Sequence, residues 1–227
     1  MALCKLPSCY GLSVIRSSNL QRYHEEEYGF LSHIVTGDET WCHHFELESK
    51  RQNKQWKHST SPPPKKSKAV HTSSSKVMMS FFDHNGPLLV EFLERGTTIN
   101  GQRYQATLQN LKRAMKSKRP GTLSNGVILL HDNARPHTAN AVKTTLQQFR
   151  WETLEHPPYS PDLSPCDFHI FGPLKQAIRG HRFTTDDEVC DWVQAWTRQQ
   201  PTSFFKDGID RLVPQWDKCA NSFGDYF

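Results

Sequence analysis

The spacing of apolar positions predicts alternating strands and helices along most of the chain. Residues 33–47, HIVTGDETWCHHFEL, predict a strand, in which the apolar pair Ile34 and Val35 leads into Asp38. Residues 76–93 contain two apolar runs around Asn85-Gly86, a dipeptide suited to the positive φ angles of a tight turn, and predict a β-hairpin. The wholly apolar run 126–131 predicts a short strand that is buried on both faces of a sheet.

Helical spacing, with apolar residues three and four positions apart, occurs between these strands. Residues 100–118 show it, and Asn100 can cap the first turn of that helix. A second stripe at 139–149 predicts another helix, and WETL at 151–154 predicts the strand that follows it. The chain therefore alternates helix and strand after its hairpin.

Two further helices are predicted beyond the proline-rich turn HPPYSPDLSP. Ser164 can cap the first of them, with Pro165 at its first position and Asp167 in its first turn. Thr185 and Glu188 form the pattern of a capping box for the second. The C-terminal part of the chain is thus expected to be helical.

Length and composition indicate one domain. A chain of 227 residues with 36% apolar content can bury one sizeable core. Its six cysteines lack the paired spacing of a structural zinc site, so we interpret them as reduced thiols. The N-terminus lacks a signal-peptide core, and no later segment approaches membrane-spanning length. An intracellular soluble protein without a membrane partner is expected.

The basic residues are unevenly distributed. Lys and Arg total 28 against 23 acids, and residues 49–82 contain no acid at all. Pro62, Pro63 and Pro64 lie within this segment and favour a long loop. A basic, acid-free loop with a tryptophan that can stack on bases suits DNA better than bare solvent. The predicted DNA-contacting residues are Lys50, Arg51, Lys54, Trp56, Lys57, Lys65, Lys66, Lys68 and Lys76.

Three acids are candidates for a metal site. Asp38 lies on a predicted strand, Asp132 ends another, and Asp167 lies at a helix N-terminus. Carboxylates brought together repel one another unless a cation neutralises them, and hard oxygen ligands favour Mg²⁺ or Mn²⁺. Two such ions can activate a water and stabilise the leaving oxygen of a phosphodiester.

Each acid also has a simpler interpretation. A lone Asp after a strand is more often a turn or cap residue than a ligand, and only the joint pattern favours metal. Asp162 is a rival third acid, although its flanking prolines suit a turn cap. His131 and His137 bracket Asp132, but their six-residue spacing does not predict a histidine metal site.

Three segments, VTGDETW, HDNARPH and HPPYSPDLSPCDFHIF, resemble the catalytic signatures of mariner-family transposases. The 34 residues between Asp132 and Asp167 match the spacing typical of that family. The resemblance covers residues 23–227 and leaves 1–22 as an unmatched N-terminal segment. It implies a ribonuclease-H-like fold, an α/β architecture with a mixed central sheet flanked by helices.

The resemblance also implies a function. Asp38, Asp132 and Asp167 would be catalytic residues that bind two Mg²⁺ or Mn²⁺ ions, cut DNA at transposon ends and join the freed 3′ hydroxyl to a TA target. Segment 44–75 would be a clamp loop that contacts DNA and the partner subunit of a homodimer. The expected location is the nucleus.

One departure leaves two classes of function open. Mariner transposases carry two helix-turn-helix units before the catalytic domain, whereas only 37 residues precede Asp38. The chain is therefore either a metal-dependent nuclease and strand transferase core, or a non-catalytic DNA-binding or dimerisation module derived from one. The intact acids favour the first class, and the missing DNA-binding units favour the second.

Overall fold

A five-stranded mixed sheet forms the centre of the protein. The computed structural model describes residues 19–26, 28–44, 75–94 and 96–221. The strands are β1 (Ile34–His43), β2 (Ser75–Asp83), β3 (Gly86–Phe92), β4 (Ile128–Leu130) and β5 (Glu152–Leu154). Their order across the sheet is β3-β2-β1-β4-β5. β2 is antiparallel to β1 and β3, whereas β4 is parallel to β1 and β5.

Helices cover both faces of the sheet. In chain order they are α1 (19–26), α2 (Tyr28–Ser32), α3 (Gly101–Lys118), α4 (Thr122–Asn125), α5 (Asn140–Phe149), a 3₁₀ turn (Pro161–Leu163), a π-helix (Cys166–Phe171), α6 (Gly172–Ile178), α7 (Asp186–Gln199), α8 (Thr202–Asp210) and α9 (Leu212–Asn221). No helix in these described ranges is long and apolar enough to span a membrane.

The sheet separates two hydrophobic cores. Side chains alternate between the faces of a strand, so Ile34 joins one core and its neighbour Val35 joins the other. α3 and α5 supply Leu108 and Val142 to the core that contains Val35. The opposite core contains Ile34 together with residues of the π-helix and of α6 to α9. Both faces of the central strands are therefore buried, as the apolar run of β4 predicted.

Most predicted elements are confirmed. Asn100 caps α3, because its side-chain oxygen accepts a hydrogen bond of 2.8 Å from the backbone N–H of Arg103. The predicted strands 33–47 and 126–131 are shorter than expected, at Ile34–His43 and Ile128–Leu130. Residues 45–47 lie outside the described residues.

The hairpin is confirmed, but its turn differs from the expectation. The two turn residues are His84 and Asn85, and Gly86 begins β3 with a φ of 128°. Only Gly86 has a positive φ in this turn. The side chain of Asp83 stabilises this turn, because its Oδ1 accepts a hydrogen bond of 2.9 Å from the backbone N–H of Asn85.

Two predicted helix starts also differ in detail. The helix after Ser164 begins with six residues of π-helix, at Cys166–Phe171. In the predicted capping box, Thr185 accepts a hydrogen bond of 3.2 Å from the backbone N–H of Glu188. The carboxylate of Glu188 accepts hydrogen bonds from the backbone N–H and the hydroxyl of Thr184, at 2.7 and 2.9 Å. In a capping box it would accept from the backbone N–H of Thr185.

Candidate active site

The fold places Asp38 and Asp132 beside each other. In the parallel register of β1 and β4, Thr36 lies opposite Leu130. Asp38 and Asp132 each follow two residues later, so Asp132 lies just beyond the end of β4, beside Asp38 within β1. Asp167 reaches this place from the second residue of the π-helix. The three predicted acids therefore line one open cleft of about 420 Å³, which we call the acidic cleft.

Asp38 and Asp167 are neighbours in the acidic cleft. Burial, and then the charge of Asp167, raise the pKa of Asp38 to about 8. A 2.7 Å hydrogen bond from the backbone N–H of Glu39 to Oδ1 of Asp38 opposes this rise without cancelling it. The raised pKa shows that the protein environment disfavours a negative charge on Asp38.

Asp132 has a different environment in the same cleft. Its Oδ1 lies 2.6 Å from Nδ1 of His137 and accepts a 3.0 Å hydrogen bond from the backbone N–H of Ala134. The hydrogen bond from His137 is the main reason that the pKa of Asp132 is lowered. The pKa values of Asp132 and Asp38 are therefore shifted in opposite directions within one cleft.

His137 bridges two acids. Its Nε2 lies 3.1 Å from Oε1 of Glu39, on the side opposite Asp132. Burial disfavours a charged ring, but the hydrogen bonds to Asp132 and Glu39 outweigh it and raise the pKa of His137 to about 10. Neighbouring His131 is instead neutral, because burial and the charge of His137 lower its pKa to about 3.

The three acids do not form a closed ligand set. Among the described residues, no three His, Cys, Asp or Glu side chains are grouped closely enough to hold a metal ion. Oδ2 of Asp38 is directed to the hydroxyl of Ser164, while Oδ1 of Asp132 is directed to His137. An ion bound by all three would require the carboxylates to move towards one another.

The rival acid lies elsewhere. Asp162 is absent from the lining of the acidic cleft, and its Oδ2 accepts a 3.3 Å hydrogen bond from Sγ of Cys219 on α9. Its place in the 3₁₀ turn agrees with the interpretation as a turn residue. Asp162 is therefore not the third acid of this cleft.

Most of the predicted DNA-contacting residues lie outside the described residues, from Lys50 to Lys68. Lys76 is described, and only 15% of its side chain is exposed. Its Nζ lies 3.5 Å from Oδ2 of Asp186, whose Oδ1 lies 2.7 Å from Nε2 of His44. One carboxylate at the start of α7 thus contacts both the first residue of segment 44–75 and the residue that follows this segment. DNA contact by all nine residues stays a prediction.

Sequence reasoning missed the residues that orient the acids. Ser164 was predicted only as a helix cap, but its hydroxyl also donates to Oδ2 of Asp38 over 3.1 Å. Glu39 lies next to Asp38 on β1 and therefore points to the opposite face of the sheet, where it meets His137. No local pattern announces these contacts, since 98 positions separate Glu39 from His137.

Comparison with known proteins identifies close relatives. A family model described as a transposase (partial DDE domain) matches residues 46–125. The Mariner Mos1 transposase of Drosophila mauritiana is 38% identical over 209 residues, which are 91% of this chain and 59% of that protein. The chain thus spans somewhat more than half of this relative's length.

Two solved structures match the whole fold. One is the Mos1 transposase catalytic domain with raltegravir and Mg, with a TM-score of 0.81, 33% identity and coverage of 98% of this chain and 99% of that one. The other is the Mos1 paired-end complex with the left transposon end, with a TM-score of 0.89 and 33% identity. The match to this second structure covers 100% of the present chain and 66% of the Mos1 chain.

The mixed sheet and its acidic cleft, together with these matches, define a transposase catalytic domain of ribonuclease-H-like fold. The fold expected from the sequence signatures is confirmed. The chain belongs to the mariner transposase family, and it corresponds to the catalytic domain of that family.

Proposed function

We propose that the chain is a DNA nuclease and strand transferase core, which cuts and joins phosphodiesters at transposon ends. The observation that carries this proposal is the meeting of Asp38, Asp132 and Asp167 in one open cleft. These acids come from β1, the end of β4 and the π-helix, so only the folded chain brings them together. We assign them as the catalytic residues.

The same three acids would hold two divalent cations, Mg²⁺ or Mn²⁺. The donor set fits, because carboxylate oxygens are hard ligands and three carboxyl groups line the acidic cleft. A raised pKa at Asp38 marks negative charge that a cation would neutralise. When bound, such ions activate a water and stabilise the leaving oxygen of a phosphodiester. The related Mos1 catalytic domain is described with Mg.

Other residues of the cleft would orient the acids or bind the DNA. Ser164 holds Oδ2 of Asp38, and the backbone N–H of Ala134 holds Oδ1 of Asp132. Arg135 lines the acidic cleft and supplies a fixed positive charge beside these acids. A guanidinium in this place would contact a DNA phosphate. The cleft is open to solvent, as a polymeric substrate requires.

The partners follow from the same proposal. We propose DNA as the substrate, with transposon ends cut first and a TA dinucleotide as the target, and a homodimer as the active form. Mos1 was solved as a paired-end complex with a transposon end. The basic segment 44–75 would contact this DNA and the partner subunit; His44 is its first residue, and Lys76 directly follows it. A protein that acts on chromosomal DNA would work in the nucleus.

A plasmid-nicking assay tests the activity. Supercoiled DNA should be converted to nicked circles with Mg²⁺ or Mn²⁺, and not without metal. Asp132→Ala should abolish the conversion. Asp162→Ala is the matched control, because it removes the neighbouring acid that lies outside the cleft. Absence of metal-dependent nicking by the unmodified chain, or nicking that persists in Asp132→Ala, would contradict the proposal.

One observation favours a second function. The three acids do not form a closed ligand set among the described residues. A chain that cannot close this set would bind DNA through its basic segment without cutting it. DNA binding that is retained while both metals leave the plasmid supercoiled would support this non-catalytic function.

A further inference from the structure

The carboxylate of Asp132 is held by only one of its two oxygens. Oδ1 contacts Nδ1 of His137 at 2.6 Å and the backbone N–H of Ala134 at 3.0 Å. Oδ2 accepts no hydrogen bond from the part of the chain that the structure describes, and 44% of the side chain is exposed. The held oxygen therefore faces the protein, and the other oxygen is the one available to the cleft.

His137 is itself fixed from three sides. Only 2% of its side chain is exposed, and Nε2 lies 3.1 Å from Oε1 of Glu39. The ring of Tyr104 packs against it with a centroid distance of 3.9 Å. The hydroxyl of Tyr104 also lies 2.9 Å from Nδ1 of His131. An imidazole held in this way has one orientation in which to meet Asp132.

We propose that His137 is a positioning residue for Asp132, and that Glu39 is the acceptor that fixes His137. The arrangement leaves Oδ2 of Asp132 as the atom offered to a cation in the acidic cleft. His137 also connects Glu39 on β1 with Asp132 at the end of β4. It therefore links the strand that contains Asp38 to the strand that precedes Asp132. The inference rests on the proposed metal-dependent function.

Hydrogen-bond partners of a metal ligand set its orientation, and removing one weakens metal affinity or activity by about 10- to 100-fold. A buried histidine with a purely structural role would change stability but not the affinity for metal. The affinity of the folded protein for Mn²⁺ therefore distinguishes the two roles.

The experiment measures Mn²⁺ binding to the full chain, without DNA, by electron paramagnetic resonance of free Mn²⁺. His137→Phe keeps a ring against Tyr104 but removes both nitrogens, and should weaken Mn²⁺ binding by at least 10-fold. Glu39→Gln keeps an acceptor for Nε2 and should bind within about threefold of the unmodified chain, whereas Glu39→Ala should bind more weakly than Glu39→Gln. If His137→Phe does not fold, His137→Gln is measured in its place.

Tyr104→Phe is the control variant. It removes the hydroxyl beside His131 and keeps the ring that packs on His137, so it should lower stability without changing Mn²⁺ affinity. Equal loss of Mn²⁺ binding in Tyr104→Phe and His137→Phe would overturn the inference, and so would unchanged binding in the His137 variants. Failure of the unmodified chain to bind Mn²⁺ would overturn the proposed function as well.

Discussion

The hydroxyl of Ser164 donates a hydrogen bond of 3.1 Å to Oδ2 of Asp38, although 126 positions separate the two residues. The same hydroxyl oxygen lies 3.4 Å from the backbone nitrogen of Asp167, from which it accepts a weaker hydrogen bond. One buried side chain thus contacts both the central strand and the start of the π-helix.

Replacing this serine should therefore destabilise the fold measurably. Ser164→Ala removes a buried hydrogen bond to an acid, and should lower the free energy of unfolding by about 1 kcal/mol. Urea denaturation followed by circular dichroism would measure the change. Ser160→Ala is the control, because its hydroxyl makes only a long contact of 3.4 Å with the carbonyl of Pro158. Equal losses in the two variants would contradict the role given to Ser164.

The raised pKa of Asp38 predicts how stability depends on pH. The pKa of Asp38 is about 8 in the folded protein, against an ordinary value of 3.8. The folded state therefore holds a proton that the unfolded chain releases, and stability falls as pH rises from about 4 to 8. Asp38→Asn cannot lose this proton, so its stability should exceed that of the unmodified chain increasingly across this window.

Denaturation without metal at several pH values would measure this difference. Asp191→Asn, at an exposed position on α7, is the control and should follow the unmodified chain. A difference between Asp38→Asn and the unmodified chain that stays constant from pH 4 to 8 would contradict the prediction. Saturating Mg²⁺ should reverse the order, because only the unmodified chain gains binding energy in the folded state.

The sequence predicted the sheet and the position of its acids, because both depend on local patterns. The apolar run before Asp132 and the hairpin around Asn85 follow from periodicity and turn chemistry. The contacts of His137 with Glu39 and of Ser164 with Asp38 could not be predicted, since they join residues far apart in the chain. Such contacts depend on packing between elements, which local periodicity does not encode.

The side chain of Phe81 leaves no room for a Cβ at position 37. Gly37 on β1 is paired with Phe81 on β2, and a Cβ at position 37 would lie 2.1 Å from Cδ1 of that buried ring. Gly37→Ala should therefore cost about 3 kcal/mol or prevent folding, because the ring must leave its position. The Tm measured by calorimetry would report the loss.

Gly29→Ala gives a matched control for this substitution. Gly29 lies in α2, and no atom lies within 4 Å of a Cβ built there. Alanine favours a helix over glycine by roughly 1 kcal/mol, so the variant should be as stable as the unmodified chain or more stable. Similar losses in Gly29→Ala and Gly37→Ala would show that Phe81 does not impose the requirement.

An ion pair between Arg119 and Asp83 connects the end of α3 to the hairpin of β2 and β3. Nε and Nη2 of Arg119 contact the two carboxylate oxygens of Asp83 at 2.9 and 3.1 Å, and only 4% of the Asp83 side chain is exposed. Arg119→Met leaves this acid buried without its cation and should cost about 3 kcal/mol. Arg113→Met, on the exposed side of α3, should change stability by about 0.5 kcal/mol or less.

A double variant distinguishes the contribution of the ion pair to stability from the contribution of packing. Asp83→Leu combined with Arg119→Met removes both charges, and should be more stable than Arg119→Met alone because no unpaired charge remains. Guanidinium denaturation of the four proteins in this cycle would measure the coupling. Additive losses in the double variant would contradict an interaction between the two side chains.

The basic segment should bind DNA through its charge. Lysines that contact phosphates release counterions, so affinity falls with salt and the slope of log affinity against log salt reports the number of contacts. Charge reversal at Lys65, Lys66 and Lys68 should weaken binding to unrelated duplexes alike, and should flatten the slope by roughly 0.9 for each lost contact. Fluorescence anisotropy at several salt concentrations would measure both.

Net charge alone could produce part of this effect, and a second triple variant separates the two causes. Charge reversal at Lys112, Arg113 and Lys116 on α3 changes the net charge by the same amount but leaves the basic segment intact. Cations near a helix C-terminus also complement its dipole, so these residues need no DNA to explain them. The α3 variant should keep a slope close to that of the unmodified chain. If both variants lose affinity and slope equally, the segment has no special role, and only the overall charge attracts DNA.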